Sequence, residues 1–574
     1  MDAQTAVRGT AASKGVRVMG EVHGGSITAR YLKEVEGVDT IFSLSGGHIL
    51  PILDGCIDRG IRVIDVRHEQ AAAMMAHAWS IYKGQPGVCL VTAGPGFTNT
   101  LTGVANAYHE GAPMVVISGV GSIRELDKGA LQDVNQVDMI KPVTKWTGKC
   151  HDITRIPEYL QAAFRHAISG RPGPVYLELV PDILFDRVDE DAVGFPAGPS
   201  AATPVPADGA AVAEAAALLN GAEKPLLLGG DGICWSRAGN ILQTLVEKAN
   251  IPTLLANCGR GAIPDEHPLS LWRGGFGGLI TALSMADVVL AVGIRFNWLL
   301  NYGDYIANAR VIRVDIDPVE VNRNRTADAA LVGDAGTVLR QLEPAVEAKD
   351  RGGWLAELDG LLTTLSAGDR QQMETPVHPI HPFRLMHGLR QGVGDDAIYI
   401  IDGGDTVYFG LVSLRAGETA GVIANGLQFG SLGIGLPFAM AAKLAQPEKK
   451  VVVVSGDGSF GFNAMEFETA ARHGIPVLAV VCNDQAWGSA KHSQELCFAP
   501  DRVCGTQLGA VHYEGMVESL GGYGELVERD EDIVPALERA LASGKPACVN
   551  VLTDPTVTSP STLIYAESIK NWSA

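Results

Sequence analysis

Short apolar runs recur along the chain and alternate with stretches of helical spacing. Between residues 22 and 190 they read "TIFSLSG", "RVIDV", "GVCLVTAGPG", "PMVVISG" and "PVYLELVPD", with amphipathic segments such as "EQAAAMMAHAWSIYKG" between them. Strands separated by helices form parallel βαβ units. The pattern returns over 208–345 ("KPLLLGG", "IPTLLAN", "ADVVLAVG", "ARVIRVDIDP") and over 378–558 ("AIYIIDGG", "GVIANG", "KKVVVVSGDG", "IPVLAVVCND", "PACVNVLTD"). The Pro/Ala/Gly-rich "GFPAGPSAATPVPADG" reads as a linker. A less regular stretch, "EAKDRGGWLAELDGLLTTLSAGDRQQMETPVHPIHP", joins the second block to the third. The expected fold class is α/β, with three doubly wound parallel-sheet domains in tandem. Ligands of such sheets sit beyond the carboxyl ends of the strands, so function is sought there.

Composition narrows the partners. The chain has 574 residues, 46% of them hydrophobic and 19% charged, which describes a globular protein of several domains. A formal net charge of −20 argues against nucleic acid or an anionic membrane surface as the main partner. No run of eighteen apolar residues predicts a membrane span, and the first residues lack a signal-peptide pattern. Residues 1–21 are expected to form a flexible arm. The nine cysteines are scattered without a C-x-x-C pair, which suits a reducing, cytoplasmic compartment.

Two Gly-Asp-Gly segments follow apolar runs. In the third block Asp457 is followed 26 residues later by Asn483, at the end of the next strand. A carboxylate and an amide held there can bind Mg²⁺, which favours oxygen ligands and shares diphosphates. The N–H groups of Gly458 and Ser459 would face the phosphate at a helix start. The second block repeats the same step from Asp231 to Asn257. Spacing therefore does not separate the two. The surroundings do: "DQAWG" follows Asn483, whereas "CGRGAIPDEHP" follows Asn257. In the first block, Glu69 stands where a strand gives way to an Ala/Met-rich helix. It is either a desolvated functional carboxylate or a first-turn glutamate favouring the helix dipole.

"RHEQAAAMMA", "TAGPGFTNTLTGVANAYHEGAPMVVISG", "VDIDP" and "GDGSFGFNAMEF…NDQAWG" occur in this order. The set resembles the thiamine diphosphate-dependent enzymes of the acetolactate synthase type, over essentially residues 22–558. The resemblance implies a pyrimidine-binding domain (22–190), a central domain (208–345) and a diphosphate-binding domain (378–558), with 559–574 as a C-terminal tail or lid. It implies that Glu69 hydrogen-bonds the cofactor's aminopyrimidine, and that Asp457, Asn483 and the Gln485 carbonyl hold Mg²⁺. It also implies that Leu432 supports the bent cofactor, and that Gly404, Asp405 and Thr406 approach the diphosphate with Gly458 and Ser459. In this family the pyrimidine domain of one chain faces the diphosphate domain of another, which implies a dimer or tetramer.

"GIRFNWLLNYG" replaces the segment typical of flavin-binding acetolactate synthases and resembles oxalyl-CoA decarboxylases and 2-hydroxyacyl-CoA lyases. Those relatives act on acyl-CoA substrates, and some hold ADP in the central domain. Arg295 and Asp315 could serve such a nucleotide, or else form interdomain ties. Leu131 stands where decarboxylases supply a tyrosine, and Gln132 fits a substrate-facing amide. Trp487, His492 and Glu495 follow the metal motif; the first two are expected in the substrate pocket and Glu495 as a proton shuttle. Together with Leu131 this loop resembles actinobacterial 2-hydroxyisobutyryl-CoA lyases. The implied reaction cleaves a short or branched 2-hydroxyacyl-CoA, 2-hydroxyisobutyryl-CoA above all, to a ketone or aldehyde plus formyl-CoA. The alternatives are an oxalyl-CoA decarboxylase, or an acetolactate synthase-like carboligase acting on 2-keto acids.

Overall fold

The computed structural model describes residues 20–424 and 428–571; residues 1–19, most of the expected arm, lie outside it. Three all-parallel sheets carry the fold. The first has six strands in the order Arg62–Asp65, Thr40–Leu44, Gly87–Val91, Met114–Gly119, Pro174–Leu179, Thr147–Cys150. The central sheet has five: Thr253–Leu255, Pro225–Gly229, Val288–Val292, Arg310–Asp315, Ala329–Val332. The third has six: Val422–Ala424, Ile398–Asp402, Val451–Gly456, Leu478–Asn483, Ala547–Leu552, Tyr523–Val527. A small antiparallel pair, Glu21–His23 with Arg187–Asp189, brackets the first domain.

Each central strand is apolar because helices cover both of its faces. Val451–Val454 and Val288–Val292 are fully buried. The first and third domains are docked on one another. Helix Glu69–Lys83 lies against helix Gly435–Ala445, with the His77 and Phe438 rings 4.9 Å apart in an edge-on contact. Buried Glu466 of the third domain accepts from the backbone N–H groups of Arg67 (3.0 Å) and His68 (3.1 Å). The turn that launches Glu69 is thereby held by another domain.

One expectation is corrected. The stretch 347–382 is largely helical, with helices Gly352–Leu365 and Ala367–Glu374. Trp354, Leu358 and Leu362 recur every four residues and bury one seam against the central domain. Each such side chain contributes about 1.5–3 kcal/mol. Among the described residues, no helix is long and apolar enough to cross a membrane.

Candidate active site

The carboxyl ends of the central and third sheets open into one cavity of about 1230 Å³. Glycine-bearing turns form its third-domain wall. Gly403–Thr406 follow the strand Ile398–Asp402, and Asp457–Ser459 open the helix Asp457–Asn463. Leu432 projects into the same space, as do Trp487 and Ser489 at the start of helix Gly488–Cys497. The loop bearing Leu432 is pinned from below. Asp402, buried among apolar side chains and pushed up to about 6 by that burial, accepts from the N–H groups of Gly433 (3.2 Å) and Gly435 (2.8 Å). Asn463 donates to the Gly433 carbonyl at 2.6 Å. Gly458 has to be glycine, since a Cβ there would lie 2.5 Å from the Trp487 indole.

The expected metal ligands are rearranged. Asp457 is 1% exposed, and its Oδ2 is buried with no partner among the described residues. Its Oδ1 accepts from the Gly458 N–H at 3.0 Å. The group facing it is Asp484, not Asn483. Burial and the Asp484 carboxyl push Asp457 up to about 8, and burial raises Asp484 as well. Asn483 is the last paired residue of its strand and turns into the sheet. Its amide donates to Asn550 Oδ1 (3.0 Å) and the Val511 carbonyl (3.4 Å), while its Oδ1 accepts from Gln485 N–H (3.1 Å). The Gln485 carbonyl is also occupied, accepting from Leu508 (2.8 Å) and Gly509 (3.2 Å). Asp484 and Ala486 line the cavity; Asn483 and Gln485 do not. Paired buried carboxylates with an orphaned oxygen fit a divalent cation, which would remove their mutual repulsion.

The central Gly-Asp-Gly lines the far part of the same cavity and differs in the partners of its aspartate. Asp231 accepts from Asn257 Nδ2 at 3.1 Å and from both the N–H and Sγ of Cys258 at 3.3 Å. Its glycines serve packing, because a Cβ on Gly232 would lie 2.7 Å from Gly293 Cα. Glu110 of the first domain stands beside it. Burial and Asp231 push Glu110 up to about 8. Arg295 is an interdomain tie here, donating to the His109 carbonyl (2.8 Å) and Gln428 Oε1 (2.9 Å). Asp315 accepts from Asp317 N–H at 2.9 Å. Both Arg295 and Asp315 line the central end of the cavity.

Glu69 is 6% exposed and accepts from Asn99 Nδ2 at 2.8 Å. It does not line this chain's cavity. It sits with Thr92, Gly96 and Gln132 at the carboxyl ends of the first sheet, where Gly94 packs under Gln132 and Gly96 under Glu69. Leu131 beside them is 76% exposed. Glu495 is likewise off the cavity. Ser489, Ala490, Ser493 and Gln494 line it, and Glu495 is the next residue round the helix.

Two further expected site residues are structural ties. His492 is 2% exposed, with Nδ1 3.2 Å from Asp405 Oδ2 and Nε2 3.1 Å from the Pro555 carbonyl, so it is walled off from the cavity. The other oxygen of Asp405 accepts from Ser559 Oγ (2.5 Å) and Thr562 Oγ1 (2.6 Å). Asp405 thus holds the C-terminal segment with its side chain. That segment forms the helix Pro560–Asn571, which lays Thr562, Ile564 and Tyr565 along the cavity.

Comparison with known proteins agrees with this architecture. Residues 22–139, 212–342 and 403–551 match, in turn, the N-terminal TPP binding domain, the central domain and the C-terminal TPP binding domain of thiamine pyrophosphate enzymes. The chain belongs to the thiamine pyrophosphate enzymes. Thiamine diphosphate is accordingly its cofactor. A probable acetolactate synthase of Mycobacterium bovis is 36% identical over 548 residues, covering 94% of this chain and 97% of that protein. A 2-hydroxyacyl-CoA lyase 1 of Mus musculus is 30% identical over 563 residues (93% and 94%). A 2-hydroxyacyl-CoA lyase of Arabidopsis thaliana is 30% identical over 557 residues (93% and 96%).

Proposed function

We propose that this chain is a carbon–carbon lyase that cleaves short or branched 2-hydroxyacyl-CoA thioesters, 2-hydroxyisobutyryl-CoA foremost, to a ketone or aldehyde plus formyl-CoA. The observation that carries the reading is the extent of the cavity, about 1230 Å³. Its lining includes the Asp457–Asp484 pair, Trp487, the C-terminal helix and Asp315 of the central domain. A free 2-keto acid fills only a corner of such a space, whereas a CoA thioester spans it. The nucleotide part lies at the central end, where Arg295 and Asp315, or a separately bound ADP, would meet it. The kinship with 2-hydroxyacyl-CoA lyases supports this choice.

When bound, the cofactor supplies the carbanion chemistry. The chain's residues hold and shield it. Asp457 and Asp484 would hold Mg²⁺, with the Ala486 carbonyl as a third protein ligand. Gly404, Thr406, Gly458 and Ser459 would admit the diphosphate, and Leu432 would support the thiazolium ring. Trp487 and the C-terminal helix exclude water. Glu69, which lies off its own chain's cavity, would hydrogen-bond the aminopyrimidine of a cofactor held by a second copy of the chain. The working unit is therefore at least a dimer, with Leu131 and Gln132 contributed to the partner's substrate pocket. In that two-chain site Glu495, on a helix face with the exposed Leu496 and Phe498 beside it, moves the substrate's hydroxyl proton.

The test is to incubate protein, Mg²⁺ and thiamine diphosphate with 2-hydroxyisobutyryl-CoA, mandelyl-CoA, oxalyl-CoA and pyruvate, and to identify the products. Formyl-CoA with a ketone or aldehyde supports the reading. Acetolactate from pyruvate, with no turnover of any thioester, overturns it in favour of the carboligase that the Mycobacterium bovis relative's description suggests.

A further inference from the structure

His492 is placed between two oxygen partners. Its Nδ1 meets Asp405 Oδ2 at 3.2 Å, and its Nε2 meets the Pro555 carbonyl at 3.1 Å. A carbonyl oxygen only accepts, so Nε2 donates. Asp405 is ionised, since its Oδ1 takes the Ser559 hydroxyl and N–H together with the Thr562 hydroxyl. An ionised carboxylate also only accepts, so Nδ1 donates too. An imidazole with both nitrogens donating is an imidazolium. The ring is 2% exposed, so bulk water does not replace a lost partner.

What this cation holds is the cover of the cavity. Pro555 begins the segment leading into the helix Pro560–Asn571, whose Ser559 and Thr562 share the same Asp405. Ser489 and Thr562 hydroxyls pair at 2.8 Å, and Cys497 Sγ lies 3.5 Å from the Ala566 carbonyl. We propose that His492 is a positioning residue, a protonated pin that docks the C-terminal helix over the cavity, and that the cover loosens when the imidazolium loses its proton.

The groups around His492 define the direction. Asp405 faces it from the helix Asp405–Ser413, and Asp484 from the loop after the strand Leu478–Asn483. Its neighbour Lys491 opposes the charge and donates to the same Pro555 carbonyl at 3.1 Å. Asp554, beside Pro555, accepts from Thr556. Asp501 and Arg502 lie at the far end of the His492 helix. On the C-terminal helix, Glu567 and Lys570 approach within 3.7 Å of each other and are exposed. Burial works against the charge, but Asp405 and the Pro555 carbonyl raise His492 above the ordinary imidazole range, while Asp405 is held low. A histidine raised in the docked state supports docking fully below its ordinary value, roughly 6.5, and that support is lost as pH rises through the raised value.

Hydrogen exchange of the full-length holoenzyme at pH 6 and pH 9, corrected for intrinsic exchange, tests this. Protection of 556–571 relative to the strand Val451–Gly456 should fall about tenfold or more in the wild type, the loss expected for a charge-assisted bond. His492→Gln has no proton to lose, so its ratio should be low and equal at both pH values. An unchanged ratio in the wild type, or the same fall in His492→Gln, overturns the proposal. If the variant does not fold, thiol labelling of the wild type decides. Cys497, beneath Ala566, should gain reactivity about tenfold over exposed Cys504 between the two pH values. A constant Cys497-to-Cys504 ratio overturns the proposal.

Discussion

Two strands of this molecule end in Gly-Asp-Gly, and both aspartates meet a second carboxylate. Asp457 faces Asp484 within the third domain, and Asp231 stands beside Glu110 across a domain boundary. The difference lies in what completes each pair. Asp231 has Asn257 and Cys258 on its two oxygens, with Arg295 and Arg171 acting on the neighbouring Glu110. Asp457 keeps a buried oxygen without a described donor, whereas in the central pair the orphaned oxygen belongs to Glu110 and not to the aspartate. Both pairs line the cavity, but both oxygens of Asp231 are filled by its own chain, whereas one oxygen of Asp457 is not. The motif and its 26-residue step are common to both, so they reflect βαβ geometry, and the partners confer the chemistry.

The comparison can be broken most forcefully at the aspartates. Asp457→Ala should weaken thiamine diphosphate binding, measured by calorimetry with Mg²⁺, by about 100-fold or more, whereas Asp231→Ala should change it less than about threefold. Equal losses would erase the distinction. Within the third domain, Asp484→Ala should cost about 30-fold in Mg²⁺-dependent cofactor affinity, and Asn483→Ala less than about fivefold. The reverse order would return the ligand role to Asn483. Glu69→Gln should abolish exchange of the cofactor's C2 proton while leaving cofactor affinity within about threefold. Normal turnover would remove Glu69 from the site.

A smaller effect concerns pH. A carboxyl raised in the folded chain favours folding below its ordinary value, and this support fades as pH climbs to the raised value. Cofactor-free protein should therefore lose melting temperature between about pH 4 and pH 8, the window set for Asp457 and Glu110. Mg²⁺ with thiamine diphosphate should flatten the Asp457 share of that loss. Glu110→Gln should flatten a separate share that Mg²⁺ leaves untouched. If Mg²⁺ removed the whole dependence, the two carboxylate pairs would not be independent.

Much of the fold was readable because strand, helix and glycine turn each leave a local signature. "KKVVVVSGDG" declares a buried strand and a tight turn wherever it sits, and the three parallel sheets follow from repeating that pattern. Motifs single out Glu69, Asp457, Leu432 and Trp487, and the structure places the last three along the cavity. The sequence points to Asn483 where the structure points to Asp484, because sequence does not show which residue is the last to be paired in a strand. In the structure Asn483 is spent on Asn550 and Val511, one position short of the cavity. The helical 352–374 was missed because its seam of Trp354, Leu358 and Leu362 gains meaning only against the central domain.

By itself the sequence determined the three βαβ blocks, the family and the two candidate aspartates, since all of these depend on residues near in the chain. Only the tertiary structure decided which carboxylate answers Asp457, that Asp405 and His492 hold the C-terminal helix, and that Arg295 ties domains together. Those partners lie up to 186 residues away, as Arg295 is from His109. A hydrogen bond acts over about 3 Å, so its ends are chosen by packing and not by spacing along the chain.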